Sequence, residues 1–209
     1  IMSGQTLDDL GIDEIKQPKT YKSVKEAVFP FVKFRGVDPL LSPEMKSTGE
    51  VMGIAGNFPA AFAKAQLGGS SPLPKNGTAF VSVREADKDR VACLSRMLVD
   101  AGFEVMTTEG TSLILEAAHV PCTKVAKVID GVRPHIVDKL LSDEINFIVN
   151  TTEGERSIAD SKSIRQAALD RGIVYFTTMA GGLAAVESIL STDDVTQVKS
   201  IQEYHKDEA

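Results

Sequence analysis

From residue 78 onward, short apolar runs alternate with longer amphipathic stretches, and this alternation restricts the fold more than any other property of the chain. Residues 78–83 (TAFVSV), 103–106, 145–149 (INFIV) and 173–176 read as strands, with 123–128 as a further one. INFIV is apolar but for Asn146, as expected of a strand buried on both faces. Between the strands lie helical patterns at 87–101, 109–118, 135–141, 158–171 and 181–190. The first carries a stripe of Val91, Leu94, Met97 and Leu98, and Gly102 stops it. The second places Leu113, Ile114 and Ala117 on one face, and the last turns Leu183, Val186 and Leu190 inward. Gly172 closes the helix before 173–176. The expected fold is α/β: an open parallel five-stranded sheet with helices on both faces.

The N-terminal third reads differently. Residues 1–57 form a mixed, irregular segment. Within it the run 36–53 (GVDPLLSPEMKSTGEVMG) shows neither strand alternation nor helical spacing, and Asp38-Pro39, Ser42-Pro43 and Thr48-Gly49 break it. It still holds Leu40, Leu41, Met45, Val51 and Met52, which a free linker would not need, so it is expected to pack against something large. Residues 59–67 read as a short helix with Pro at its first turn and Gly68-Gly69 as its stop. Residues 69–77 (GSSPLPKNG) have linker composition and mark the expected boundary between a unit at 1–68 and a domain at 78–209, which ends in a polar tail from 201.

Composition removes several function classes. A net charge of −6 gives no broad basic face for nucleic acid. No apolar run approaches the roughly 20 residues of a membrane span, and the N-terminal residues lack the basic and apolar regions of a signal peptide. Cys93 falls in a helical pattern and reads as an inert core residue; Cys122 falls in a loop. Two unpatterned cysteines indicate a reducing compartment and no metal site, and His119 and His205 have no partners at metal-ligand spacing. No GxxxxGK[ST] loop is present, and the turn after the first strand, Arg84-Glu85-Ala86-Asp87, has neither the glycines nor the charge for a dinucleotide pyrophosphate.

What remains is a chemistry of hydroxyls. Ligands of open parallel sheets bind where strand C-termini meet helix N-termini. Two such turns are Thr107-Thr108-Glu109-Gly110-Thr111 and Asn150-Thr151-Thr152-Glu153-Gly154. Each offers threonine hydroxyls, backbone N–H groups and the positive end of a helix, a combination that suits a phosphate, although threonine also serves as a plain N-cap. Lys88 opens a helix, where a cation opposes the dipole, and Lys127 stands near the end of the 123–128 run; a bound anion would account for both, as would surface exposure. His135 after Pro134 fits a helix cap.

The run 36–53, with KEAVFPFVKF (25–34) before it and AAFAKAQLG (60–68) after it, resembles the large subunit of carbamoyl-phosphate synthase. The resemblance continues through SVREADKDRV, TTEGT, RPHI, VNTTEG and FTT and covers essentially all of the chain. It implies that 1–68 ends the second ATP-grasp half, the part that makes carbamoyl phosphate, and that 78–209 is a methylglyoxal-synthase-like allosteric domain. It implies an effector site for a nucleoside monophosphate, UMP or IMP, at Lys88, Thr108, Thr111, Lys127, Asn150, Thr151, Thr152, Asp160 and Ser161. It implies an ornithine site to which Glu26, Tyr175 and Thr177 contribute, with the other members upstream. It implies a parent enzyme that is an ATP-dependent, glutamine-hydrolysing ligase of pyrimidine and arginine biosynthesis, uses Mg or Mn and K ions, takes ammonia from a glutamine amidotransferase small subunit, and self-associates in the cytoplasm. The chain itself would hold no catalytic residue and no cofactor. It starts with Ile, as expected of a cut chain. GVRPHI (131–136) is one residue longer than the family pattern, which puts the choice between UMP and IMP in doubt.

An enzyme reading stands beside this one. Methylglyoxal synthase shares the regulatory fold and eliminates phosphate from dihydroxyacetone phosphate with a carboxylate from a Gly-Gly-Asp segment. Here the matching residues are Val132-Arg133-Pro134-His135, without that acid, and Asp138 lies three residues further.

Overall fold

The computed structural model describes residues 2–12, 20–29, 31–33, 38–39, 47–191 and 195–206. Its larger unit is a parallel sheet of five strands: β3 (Gly77–Ser82), β4 (Phe103–Thr107), β5 (Thr123–Lys124), β6 (Phe147–Asn150) and β7 (Val174–Phe176). Their order is β5-β4-β3-β6-β7, so the chain winds outward from β3 in one direction, returns, and winds outward in the other. The switch lies between β3 and β6, where Val81 pairs with Val149 and Ser82 with Asn150. The expected doubly covered sheet is therefore present.

Two apolar layers enclose it. On one face Val91, Leu94 and Leu98 of α2 (Lys88–Asp100), Leu115 of α3 (Glu109–Ala117) and Ala185 and Val186 of α7 (Met179–Leu190) pack with Ala79, Val81, Phe147 and Val149. On the other, Ile136 and Leu140 of α4 (Ile136–Leu141) and Ile164, Ala167 and Ala168 of α6 (Lys162–Arg171) pack with Phe80 and Ile148. Alternate residues of one strand serve opposite layers, which is why Phe147, Ile148 and Val149 are apolar in succession.

The smaller unit is a two-stranded antiparallel sheet, β1 (Lys22–Val28) with β2 (Gly49–Ala55), and α1 (Phe58–Gly68). Asn57 caps α1 by accepting from the Ala60 N–H at 3.0 Å, with Pro59 in the first turn. The strands replace the irregular segment expected at 1–57. Val51 and Met52 of the 36–53 run belong to β2, whereas Leu40, Leu41 and Met45 lie outside the described residues. The polar tail also contains structure: α8 (Ile201–Lys206) returns to this unit, where the Tyr204 hydroxyl donates to the Ile54 carbonyl at 3.0 Å and its ring meets Tyr21. Residues 207–209 of that tail lie outside the described residues.

Other expectations need correction. The strand read at 123–128 is two residues long. β4 ends at Thr107, which pairs with Lys124, so nothing remains for 126–128 to pair with; Ala126 makes one bridge to His135 and a single 3₁₀ turn follows. The helix read at 158–171 is two helices, α5 (Gly154–Asp160) and α6, which meet at Ser161. Leu113 is 56% exposed and Leu115 is fully buried, because α3 turns Thr111 and Ser112 inward with their hydroxyls satisfied: Thr111 Oγ1 accepts from Val83 N–H, and Ser112 Oγ donates to Glu109 O. Leu190, in the last turn of α7, is 40% exposed. Cys93 is exposed rather than buried, since it falls on the side of α2 away from Val91, Leu94 and Leu98. No helix among the described residues is long and apolar enough to cross a membrane.

Candidate functional site

The carboxyl ends of β3, β4 and β6 open together because the strands are parallel and in register. A cavity of about 500 Å³ lies there, at the switch between β3 and β6. The end of β3 supplies Ser82 and the turn after it Val83, Arg84 and Glu85; the end of β6 supplies Asn150 and Thr151; Thr108 enters from the turn after β4 and Lys127 from beyond β5; Asp160 and Ser161 enter from the junction of α5 and α6.

Local chemistry fixes this rim. Thr108 is the N-cap residue of α3, yet its side chain makes no cap bond; its hydroxyl lies 3.1 Å from that of Ser82. Thr151 Oγ1 accepts from the Arg84 N–H at 3.0 Å, tying the β3 turn to the β6 turn. The first N–H groups of α3 and α5 have no acceptor within their helices, as at any helix start. Lys127 is exposed, and among the described residues its ammonium has no ion-pair partner; its backbone N–H donates to the Asp130 carboxylate at 2.8 Å and its carbonyl accepts from the Asp130 N–H at 3.2 Å. Arg84 pairs with Asp87 at 2.8 Å, and Glu85 with Lys88 at 2.5 Å. The arrangement can hold an anion with Lys127, hydroxyls and helix N–H groups, and hydrogen-bond a polar body with Asn150, Asp160 and Ser161.

Of the nine residues implied for a nucleotide, Thr108, Lys127, Asn150, Thr151, Asp160 and Ser161 line this one cavity. Thr111 lies under its floor, 1% exposed, and Thr152 is half-buried in the β6 turn. Lys88 is not among the lining residues, and its ammonium pairs with Glu85. Sequence reading passed over Ser82 and Arg84, although both stand in the turn of the central strand, where the switch-point rule would have directed attention.

Glu26 lies on β1, Tyr175 on β7 and Thr177 directly after β7. Glu26 on β1 accepts from Gln66 of α1, and burial pushes its carboxyl above the ordinary 4.5. Tyr175 belongs to the opposite layer, with Ile148 and Ile164, whereas its neighbour Phe176 faces Phe62 of α1. The Tyr175 hydroxyl accepts from Asn150 Nδ2 at 2.8 Å, and burial raises its pKa against the pull of Asn150 and Arg165. Thr177 is exposed. His135 caps α4: its Nδ1 accepts from the Asp138 N–H, and Asp138 in turn accepts from the His135 N–H at 2.9 Å and pairs with Arg133. Asp138 does not line the cavity.

Comparison with known proteins adds the following. A family model of the MGS-like domain matches residues 90–177. The chain is 52% identical over 205 residues to the carbamoyl phosphate synthase large chain of Pseudomonas putida, covering 98% of this chain and 19% of that protein. It is 50% identical over 206 residues to the large chain of Xanthomonas axonopodis pv. citri and 46% identical over 211 residues to that of Brucella suis, covering 99% of this chain in both and 19% and 18% of those proteins. The chain thus spans about a fifth of the length of these relatives.

Proposed function

We propose, from the premise that this chain belongs to the carbamoyl phosphate synthase large-chain family and carries an MGS-like domain, that its cavity binds a nucleoside monophosphate and thereby regulates synthesis carried out elsewhere in the large chain. One observation carries this reading. Lys127 and the Ser82–Thr108 hydroxyl pair, with Thr108 the N-cap residue of α3, share a single cavity with the polar groups Asn150, Asp160 and Ser161. An anionic head and a hydroxyl-rich body in one molecule match that set, and about 500 Å³ accommodates it.

UMP and IMP are the candidate effectors, for an ATP-dependent, glutamine-hydrolysing synthesis feeding pyrimidine and arginine formation. Ornithine would use Glu26 as the acceptor for its ammonium, in a pocket completed by residues outside this chain, so weak or absent ornithine binding is expected here. An elimination on dihydroxyacetone phosphate finds less support, since Asp138 is engaged by His135 and Arg133.

Calorimetric titration with UMP, IMP and ornithine tests the reading, on the chain and on a Lys127→Ala, Thr108→Val variant. Loss of a charged hydrogen bond and of one hydroxyl should weaken nucleotide binding roughly ten-fold or more. Equal nucleotide affinity in the chain and the variant would move the ligand away from this cavity.

A further inference from the structure

Arg165 is 3% exposed in the middle of α6, and a guanidinium so placed requires partners that justify its desolvation. Its partners lie in three places. Nε and Nη2 donate to the two carboxylate oxygens of Asp38 at 2.7 and 2.6 Å, a bidentate pair that reaches 127 residues back along the chain. Nη2 also donates to the Ile158 carbonyl at 3.0 Å, in α5. The guanidinium also acts on the Tyr175 hydroxyl, which accepts from Asn150, pulling its pKa down against burial. The Arg165 N–H meanwhile bonds the Ser161 carbonyl at 3.1 Å, at the start of α6.

Asn150, Asp160 and Ser161 line the cavity; Asp38, Arg165 and Tyr175 do not. Arg165 therefore touches that wall twice without belonging to it, through Tyr175 to Asn150 and through Ile158 to the α5–α6 junction. Its remaining contact is a charged group of the N-terminal segment. We infer that Arg165 is a positioning residue whose pairing with Asp38 sets the β6 and α5–α6 wall of the cavity, so that ligand affinity in the cavity and the hold on the segment at 38–39 depend on each other. The inference rests on the cavity being the ligand site. Coupling of this kind is reciprocal: whatever the ligand does to the Asp38 contact, loss of that contact does to the ligand.

The experiment uses the full chain with Asp38→Asn, Asp38→Glu, Tyr175→Phe and the Asp38→Asn, Tyr175→Phe double variant. UMP titration is read by calorimetry, and amide exchange at 150–153 is read without ligand. Asp38→Asn and Tyr175→Phe are each expected to weaken UMP on the order of five-fold or more, although neither residue lines the cavity. The double variant should be no weaker than the weaker single one, and Asp38→Glu should recover most of the affinity. Exchange at 150–153 should quicken in Asp38→Asn while α2 and β4 stay protected. Wild-type affinity with unchanged exchange in Asp38→Asn and Tyr175→Phe overturns the inference, as do losses that simply add. If the unaltered chain takes up no UMP, the proposed function fails, and exchange at 150–153 alone then decides: quickened exchange supports the link and unchanged exchange overturns it.

Discussion

The five-stranded sheet and the smaller unit of β1, β2 and α1 differ in what holds them. The sheet lies between two apolar layers with Phe80, Phe147, Leu94, Leu98 and Ile148 fully buried. The smaller unit buries Ala55, Ala60 and Ala61, with Val24 partly covered, and a two-stranded sheet of this kind is marginal alone. Its hold comes from contacts beyond itself: Phe62 against Phe176, Lys64 on the Gln197 carbonyl, Tyr204 on the Ile54 carbonyl, and α1 against α7. The sheet is stabilised by its own burial, whereas the smaller unit is stabilised by being docked.

That contrast can be broken at four points. Phe147→Ala removes a fully buried ring shared with Phe103 and Phe176 and should cost about 3–5 kcal/mol, lowering the transition of the whole molecule in a thermal melt. Gly53→Ala tests the smaller unit. A Cβ there would lie 2.0 Å from the Ala61 carbonyl oxygen and 2.5 Å from the Ala65 nitrogen, both backbone, so α1 must lift off β2. The expected loss is about 2–3 kcal/mol, with amide exchange quickened at 22–68 and little altered in β3 and β6. Equal quickening in both units would mean that they unfold as one. Tyr204→Phe removes a single hydrogen bond and should cost about 1 kcal/mol, again confined to the smaller unit by exchange.

The smallest effect is in pH. The Glu26 carboxyl titrates above its ordinary 4.5 in the folded chain because burial disfavours its charge. The folded state therefore holds this proton more tightly than the unfolded state. Stability from this group is complete below about 4.5, falls as pH rises through the raised folded value, and is level above it. Glu26→Gln should accordingly melt higher than the parent near neutral pH and equal it below pH 4.5. A difference that grows on acidification would show that the charged form is the favoured one.

The same contrast explains what was legible in the sequence. Strands buried on both faces leave mostly apolar runs, so INFIV and TAFVSV were readable within one or two residues. β1 and β2 are half-exposed, KSVKEAV and GEVMGIA, and are joined by about 20 residues rather than a tight turn, so no hairpin signal exists. The inward face of α3 was misread because its buried residues include Thr111 and Ser112, whose hydroxyls are satisfied locally, and hydropathy does not register satisfied polar groups. At the cavity, the threonine turns were visible as composition. Arg84 and Ser82 became relevant only once strand order placed β3 beside β6. The pairing of Arg165 with Asp38 spans too much sequence for any local pattern to reveal.

The Ile54 carbonyl receives both the Lys64 ammonium, at 3.1 Å, and the Tyr204 hydroxyl, at 3.0 Å. Load applied to the C-terminal end is therefore delivered first to the edge of β2 and not to the parallel strands. A tether fixed there, whether a surface linker or a fused protein, would peel α8 and strip the hairpin while the cavity-bearing layer stays intact.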